Sequence, residues 1–351
     1  MKNPWKPLKW AGALVAMTFG VAGIAALRFG GAFRSIEPAF AGTCRSIALG
    51  GSSEDIAIDR RRGIAYLSLL ERDSARHDEQ VLGTVMLLDL NRPEPAPRAA
   101  MAFDPEGFRP QGLSLLATGS QPARLFVVSD RPGSPAVEIS EEAAAGGFFP
   151  RETIRNAAFV HPNAIAATGA RQFYLTNGPL TEGQWALATQ ALWGSGRSTL
   201  VYFDGDEARI EVADLNFPSG LALSPDGSRL YVAEMLARQL RIYRRNAASG
   251  ALGLEEAIDL DAAPGNIDVD GDGVVWIAAY PKLLSLAAHW RDPGNRSPTQ
   301  VLRFDPKTRG LTETYMDPGA AISAGSAVAS WHDEFLIGAP FDRKVLICKP
   351  S

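Results

Sequence analysis

Histidine and cysteine are scarce in this 351-residue chain, four of one and two of the other. His77, His161, His289 and His332 lie far apart and pair with no cysteine, so no zinc-binding spacing exists. The sequence also lacks a Gly-rich phosphate loop and a serine-triad motif. Basic charge is in short supply: 35 Lys and Arg against 39 Asp and Glu give a net charge of −4, which excludes the electrostatic footprint of a nucleic-acid binder. No run of like charge and no low-complexity tract marks a disordered tail. DVDGDG (Asp268, Asp270, Asp272) imitates the opening of a calcium loop, but Ala279 stands where the closing acid belongs, so it reads as a hairpin turn.

Long apolar runs are absent except one. Trp10 to Leu27 follows Lys2, Lys6 and Lys9, the layout of an export signal. The run is just long enough to span a bilayer, and we read residues 1–41 as an uncleaved membrane anchor and connector. The flanking lysines place the body, residues 42–351, outside the cytoplasm. A cleaved signal, cut after Ala39-Phe40-Ala41, and a buried core helix are the alternatives.

What the chain has in quantity is a repeating hairpin. In FPSGLALSPDGSRLYVAEM, from Phe217, an alternating strand meets a Pro-Asp-Gly turn and a second alternating strand. Related units are NAIAATGARQFYLTN from Asn163, NIDVDGDGVVWIAAY from Asn266 and SAVASWHDEFLIGAP from Ser326. Looser ones are EDIAIDRRRGIAYLSL from Glu54 and QGLSLLATGSQPARLFVVSD from Gln111. Six units at a spacing of about 50 residues predict an all-β, six-bladed β-propeller with an N-terminal hydrophobic helix. Outer strands are read at Thr84–Leu90, Thr199–Phe203, Gln239–Arg245 and Val301–Phe304. Ser140–Gly147 reads as a loop or short helix, and Glu182–Gly194 as a helix projecting from the ring, a lid or a packing element. In a ring the first and last segments meet, so Cys44 and Cys348 are expected to staple the closure; two buried free thiols are the alternative.

A propeller gathers the starts of its inner strands at one end of a central channel. Here those starts are Glu54-Asp55, Gln111, Asn163, Ser219 and Asn266, all oxygen donors. Such a ring suits a hard cation such as calcium, and equally a water-filled channel without a metal.

From Cys44 onward the chain resembles the calcium-dependent paraoxonase/arylesterase family, six-bladed propellers distantly like gluconolactonases. SSEDIAI, RPQGLSLL, HPNAIAATGARQFYLTN, SGLALSPDGSRLYVAEMLARQLRIY, GNIDVD, GSAVAS and VLICKP carry the likeness. The resemblance implies one catalytic calcium on Glu54, Asn163, Ser219, Gly265 and Asn266. Glu54, Asn163 and Asn266 match the family; Ser219 replaces an asparagine and Gly265 an aspartate, which removes a carboxylate. A second, structural calcium would use Asp55 and the carbonyl of Leu113, but Ala164 replaces its other acid. The family's histidine pair falls on Gln111 and Asp130. Glutamine cannot act as a base. Asp130 or Glu54 would then assist proton transfer as water attacks a metal-polarised carbonyl. His161 could approach the channel mouth or serve a surface role. Tyr280, Trp185, Trp193 and Phe341 fall on pocket-wall positions and could equally be core or lid packing. The implied activity is calcium-dependent hydrolysis of small lactones or aryl esters; the rival is a non-catalytic propeller that binds a ligand or a protein.

Overall fold

Each of the six hairpin sequences forms the inner half of one blade. The computed structural model describes residues 17–351 apart from 19, 22, 102, 103, 120, 145 and 179–197. Its strands are numbered β1–β24 along the chain. β1 (Gly42–Ala48) takes part in ring closure. The next twenty make five four-stranded antiparallel blades in consecutive order. The first runs β2 (Ser52–Asp59), β3 (Ile64–Leu70), β4 (Thr84–Asp89), β5 (Arg98–Ala99), and the second β6 (Pro110–Leu116), β7 (Arg124–Ser129), β8 (Ala136–Glu142), β9 (Phe148–Ile154). The third is β10 (Pro162–Ala167), β11 (Phe173–Asn177), β12 (Ser198–Phe203), β13 (Ala208–Leu215). The fourth is β14 (Pro218–Leu223), β15 (Arg229–Glu234), β16 (Gln239–Arg245), β17 (Leu252–Asp259). The fifth is β18 (Ala263–Val269), β19 (Val275–Tyr280), β20 (Thr299–Asp305), β21 (Gly310–Asp317).

The sixth blade is built from both ends of the chain. β22 (Ala327–Trp331), β23 (Glu334–Gly338) and β24 (Lys344–Pro350) are completed by β1 on the outer edge. Cys44 sits directly opposite Cys348 in the β1–β24 ladder, and the two form a disulfide. The free-thiol alternative is thereby excluded.

Burial follows position in the blade. The second strands β11 and β19 are buried at every residue, whereas the outermost β17 alternates toward solvent. Neighbouring blades share apolar cores, as where Ile56 and Leu67 of the first meet Ala329 and Leu336 of the sixth. Between the second and third blades the core is aromatic, with Phe126, Phe159, Phe173 and Phe203. The Pro225-Asp226-Gly227 turn forms as its residues require. Gly227 takes φ +68°, and the Asp226 carboxylate accepts from Ser224 Oγ at 2.6 Å and Ser228 N at 3.0 Å. DVDGDG is also a hairpin turn, in which Asp270 accepts from Asp272 N and Val274 N.

Two expectations need correction. Ser140–Glu142 belongs to β8, because β7 on one side and β9 on the other complete its ladder. The strands β4, β12, β16 and β20, read as outer strands, are third strands; β5, β13, β17 and β21 lie outside them. The helix expected over 182–194, with Trp185 and Trp193, lies outside the described residues. So does half of the N-terminal apolar run. Helical backbone continues to residue 29, and the following segment lies at the end of the ring where inner strands begin. There Arg34 pairs with Asp261, and Leu284 N donates to Gly30 O. Among the described residues no helix is long and apolar enough to cross a membrane.

Candidate active site

The inner strands share one irregularity, and it falls on the candidate residues. Five of the six inner hairpins carry a bulge where the inner strand begins. Register shifts occur between Ser53 and Ile56, Pro110 and Leu113, Pro162 and Ile165, Pro218 and Gly220, and Pro264 and Ile267. The residues skipped are Glu54-Asp55, Gln111-Gly112, Asn163-Ala164, Ser219 and Gly265-Asn266. Four bulges directly follow a proline, which supplies no ladder hydrogen bond. Hydroxyls from the facing strand satisfy two of the freed N–H groups: Ser68 Oγ accepts from Asp55 N at 3.1 Å, and Thr176 Oγ1 from Ala164 N at 2.9 Å. Bulges turn side chains out of the ladder, which is why these polar residues avoid both blade faces. The sixth inner strand pairs regularly.

The bulges touch around the channel. A Cβ on Gly220 would stand 2.7 Å from Gly265 O, and one on Gly265 would stand 2.8 Å from Ser326 O. A Cβ on Gly112 would run into Asn163 O. Asn266 Nδ2 donates to Glu54 O at 2.8 Å, and Ser326 Oγ to the same carbonyl at 3.1 Å. Residues 212 apart in sequence are thus joined directly.

Glu54 has a partner that the sequence reading missed. Arg72, in the short helix Arg72–Ala75 after β3, places Nε 2.7 Å from Glu54 Oε2. Its Nη1 donates to Ser52 O at 3.2 Å and Nη2 to Pro110 O at 2.9 Å. No other described residue hydrogen-bonds the remaining carboxylate oxygen of Glu54 or the Asn163 amide. Asn266 commits one amide hydrogen to Glu54 O and keeps Oδ1 as an acceptor. Ser219 is differently committed: its Oγ lies 2.8 Å from Pro264 O and 3.2 Å from Gly265 O.

Asp55 and Leu113 are brought together, but through the Leu113 N–H, which donates to Asp55 Oδ2 at 2.7 Å. Ile56 N holds Oδ1 at 2.9 Å. Asp55 is half-buried as a residue, and its carboxyl lies deep among protein atoms. That enclosure pushes it up to about 7, against the two N–H groups that favour the anion; Glu54 and Asp268 add to the rise. Both carboxyl oxygens are used and Ala164 offers no acid, so these residues do not fit a second calcium.

Gln111 and Asp130 form a pair. Gln111 Nε2 donates to Asp130 Oδ2 at 3.0 Å. Burial holds the Asp130 carboxyl above the usual carboxylate range; Arg109 opposes this, Glu54 reinforces it, and His161 and Arg72 oppose it more weakly. His161 therefore lies within electrostatic reach of this pair. The fully buried Tyr280 hydroxyl lies beside Glu54 and Ser326, and its ionisation is pushed far up by burial. It would be 3.3 Å from a Cβ at position 265, so a phenol occupies the neighbourhood where the resemblance would put a carboxylate. Phe341 packs on Trp290 and His289 of the helix Leu283–Arg291, with Arg76 over its ring at 4.8 Å.

A family model described as Arylesterase matches residues 73–349. The chain belongs to the arylesterase family. Human serum paraoxonase/arylesterase 1 is 26% identical over 91% of this chain and 92% of its own. Mechanosensory abnormality protein 6 of Caenorhabditis elegans is 27% identical over 67% of this chain and 64% of its own. Among solved structures, a gluconolactonase from Xanthomonas campestris superposes with a TM-score of 0.54, covering 91% of this chain and 99% of its own at 16% identity; it supports the propeller fold.

Of the residues that the resemblance singles out, Glu54, Asn163 and Asn266 have uncommitted oxygens. The departures are occupied otherwise. Ser219 bonds to backbone, Gly265 packs against Ser326 and Tyr280, and Gln111 holds Asp130. Among the described residues no three acidic, histidine or cysteine side chains cluster, so a cation here would rest on amide oxygens around one carboxylate. That donor set fits calcium, whose affinity scales with ligand number and charge.

Proposed function

We propose that this chain hydrolyses small lactones or esters at the mouth of the propeller channel, with calcium as cofactor. Family membership supports the reaction class. The observation that carries the reading is that Glu54, Asn163 and Asn266 each lie in a bulged start of an inner strand, with the Asn266 amide hydrogen-bonded to the Glu54 carbonyl. These three residues would hold the ion. Bound there, it would polarise the substrate carbonyl and favour negative charge on its oxygen.

The chain's own groups supply proton handling and enclosure. Gln111 fixes Asp130 through Oδ2, which leaves Oδ1 to accept a proton from water. The raised ionisation of Asp130 makes it a better base than an ordinary surface carboxylate. Phe341 and the helix Leu283–Arg291 form an apolar flank at the same end of the ring. Glu54→Gln and Asn266→Ala should each lower hydrolysis of lactones and aryl esters at least about a hundredfold, and a chelator should do the same to the parent. Unchanged turnover in both variants would place the chemistry elsewhere.

A second reading has specific support. Gln111 carries no titratable group where the family has a histidine, and one relative is named for a mechanosensory phenotype rather than a reaction. On that reading the channel binds a ligand without turnover. Saturable lactone binding with no product would favour it. We also propose that the body is exported and held by the N-terminal segment. The disulfide fits an oxidising compartment. N-terminal sequencing of the mature chain would separate an anchor from a cleaved signal.

A further inference from the structure

Glu54 is the only carboxylate in the three-residue donor set, and it already has a cation beside it. We propose that Arg72 is the resident counter-ion of Glu54 and sets how tightly the channel holds a divalent cation. This rests on Glu54, Asn163 and Asn266 being the calcium site.

Three observations carry it. First, Arg72 Nε lies 2.7 Å from Glu54 Oε2, within charge-assisted hydrogen-bond distance. Second, the guanidinium is not a surface group that can swing into water. Arg72 is only 6% exposed. Ser52 O, at the start of β2, and Pro110 O, at the start of β6, hold its two terminal nitrogens. These carbonyls belong to two neighbouring blades, so they fix the positive charge whatever else Glu54 binds. Third, within the donor set the charges cancel. Asn163 and Asn266 are neutral amides, Gly265 and Ser219 bring no charge, and the Glu54 carboxylate is offset by the Arg72 guanidinium.

A divalent ion approaching Glu54 beside a fixed positive charge loses much of the attraction that an unpaired carboxylate would give. The guanidinium also holds Glu54 in place without metal, so the first ligand is positioned in advance. Arg72 thus acts as a positioning residue, through Glu54 and not on substrate.

The test is calorimetric titration of the full chain with calcium chloride, comparing wild type, Arg72→Met and Arg72→Lys. Removing the charge in Arg72→Met should tighten calcium binding about tenfold or more, while Arg72→Lys, which keeps it, should stay within about threefold of wild type. Binding seen in Arg72→Met but not in wild type would also support the proposal. Equal or weaker binding in a folded Arg72→Met, or no binding in either, would overturn it. Should Arg72→Met fail to fold, the Arg72 Nε–H resonance of the wild type decides, assigned by its loss in Arg72→Lys. It should shift as calcium is added; a fixed signal overturns the proposal. Hydrolysis is measured separately, so loss of this inference does not by itself remove the hydrolase reading.

Discussion

Cutting the Cys44–Cys348 staple should destabilise the propeller through its unfolded state. The disulfide joins residues 304 apart, nearly the whole body. In the chain-entropy description, closing a loop of that size removes about 6 kcal/mol of freedom from the unfolded ensemble at 25 °C. The native state should change little, because seven register pairs from Gly42↔Pro350 to Ala48↔Lys344 still hold β1 on β24. The variant to make is Cys44→Ser with Cys348→Ala. Position 348 is fully buried, where a serine hydroxyl would add its own cost, whereas position 44 is exposed. We expect a loss of about 2–5 kcal/mol by urea unfolding, since measured values usually fall below the entropic ceiling. The m-value should rise as well, because an uncrosslinked unfolded chain exposes more surface. A loss below about 1 kcal/mol with an unchanged m-value would refute the assignment of the stabilisation to ring closure.

Gly220→Ala should cost about 1–3 kcal/mol, read by thermal melting, because its Cβ meets backbone, Gly265 O at 2.7 Å and Asn266 Cα at 3.0 Å, and not a movable side chain. A neutral melt would mean that the blades can spread at the channel. The Asp55 carboxyl, pushed up to about 7, favours folding while protonated; that contribution is full below the ordinary carboxylate range and is lost as pH rises through about 7. In chelator the urea midpoint should therefore fall between about pH 4 and about pH 7 and level off above that, and Asp55→Asn should flatten the fall. An equal fall in both proteins would assign the effect to other groups. If Asp130 is the base, the rising limb of kcat/KM against pH lies above the ordinary carboxylate range, and Asp130→Asn removes that limb. A limb that persists in the variant would exclude Asp130.

The propeller was legible because its inner hairpins repeat period-2 strands around turn residues such as Asp226-Gly227, and local chemistry of that kind does not depend on distant contacts. Strand rank was less so. Gln239–Arg245 alternates like an edge strand, yet β17 covers it, and only the blade's own pairing reveals that. The site was readable as positions but not as bonds. Gln111 and Asp130 came from the family resemblance, and their mutual hydrogen bond needed the fold. Arg72 was invisible because ERDSARHDEQ reads as a solvated charged stretch. A clue was present in the β2–β3 hairpin: Ser52 faces Leu70, so residues just past Leu70 emerge at the level where β2 begins. The bulges themselves leave no sequence mark beyond the recurring proline before the polar residue.

Those bulges have an evolutionary consequence. A residue left out of the ladder, where no neighbouring backbone meets its Cβ as it does at Gly112 and Gly265, can be exchanged without disturbing strand pairing, so the bulges act as replaceable sockets on a fixed chassis. On the family resemblance, Gln111 and Ser219 read as exchanges of this kind. Such a ring can drift between catalyst and receptor by changing its fittings, with the frame that positions them unaltered.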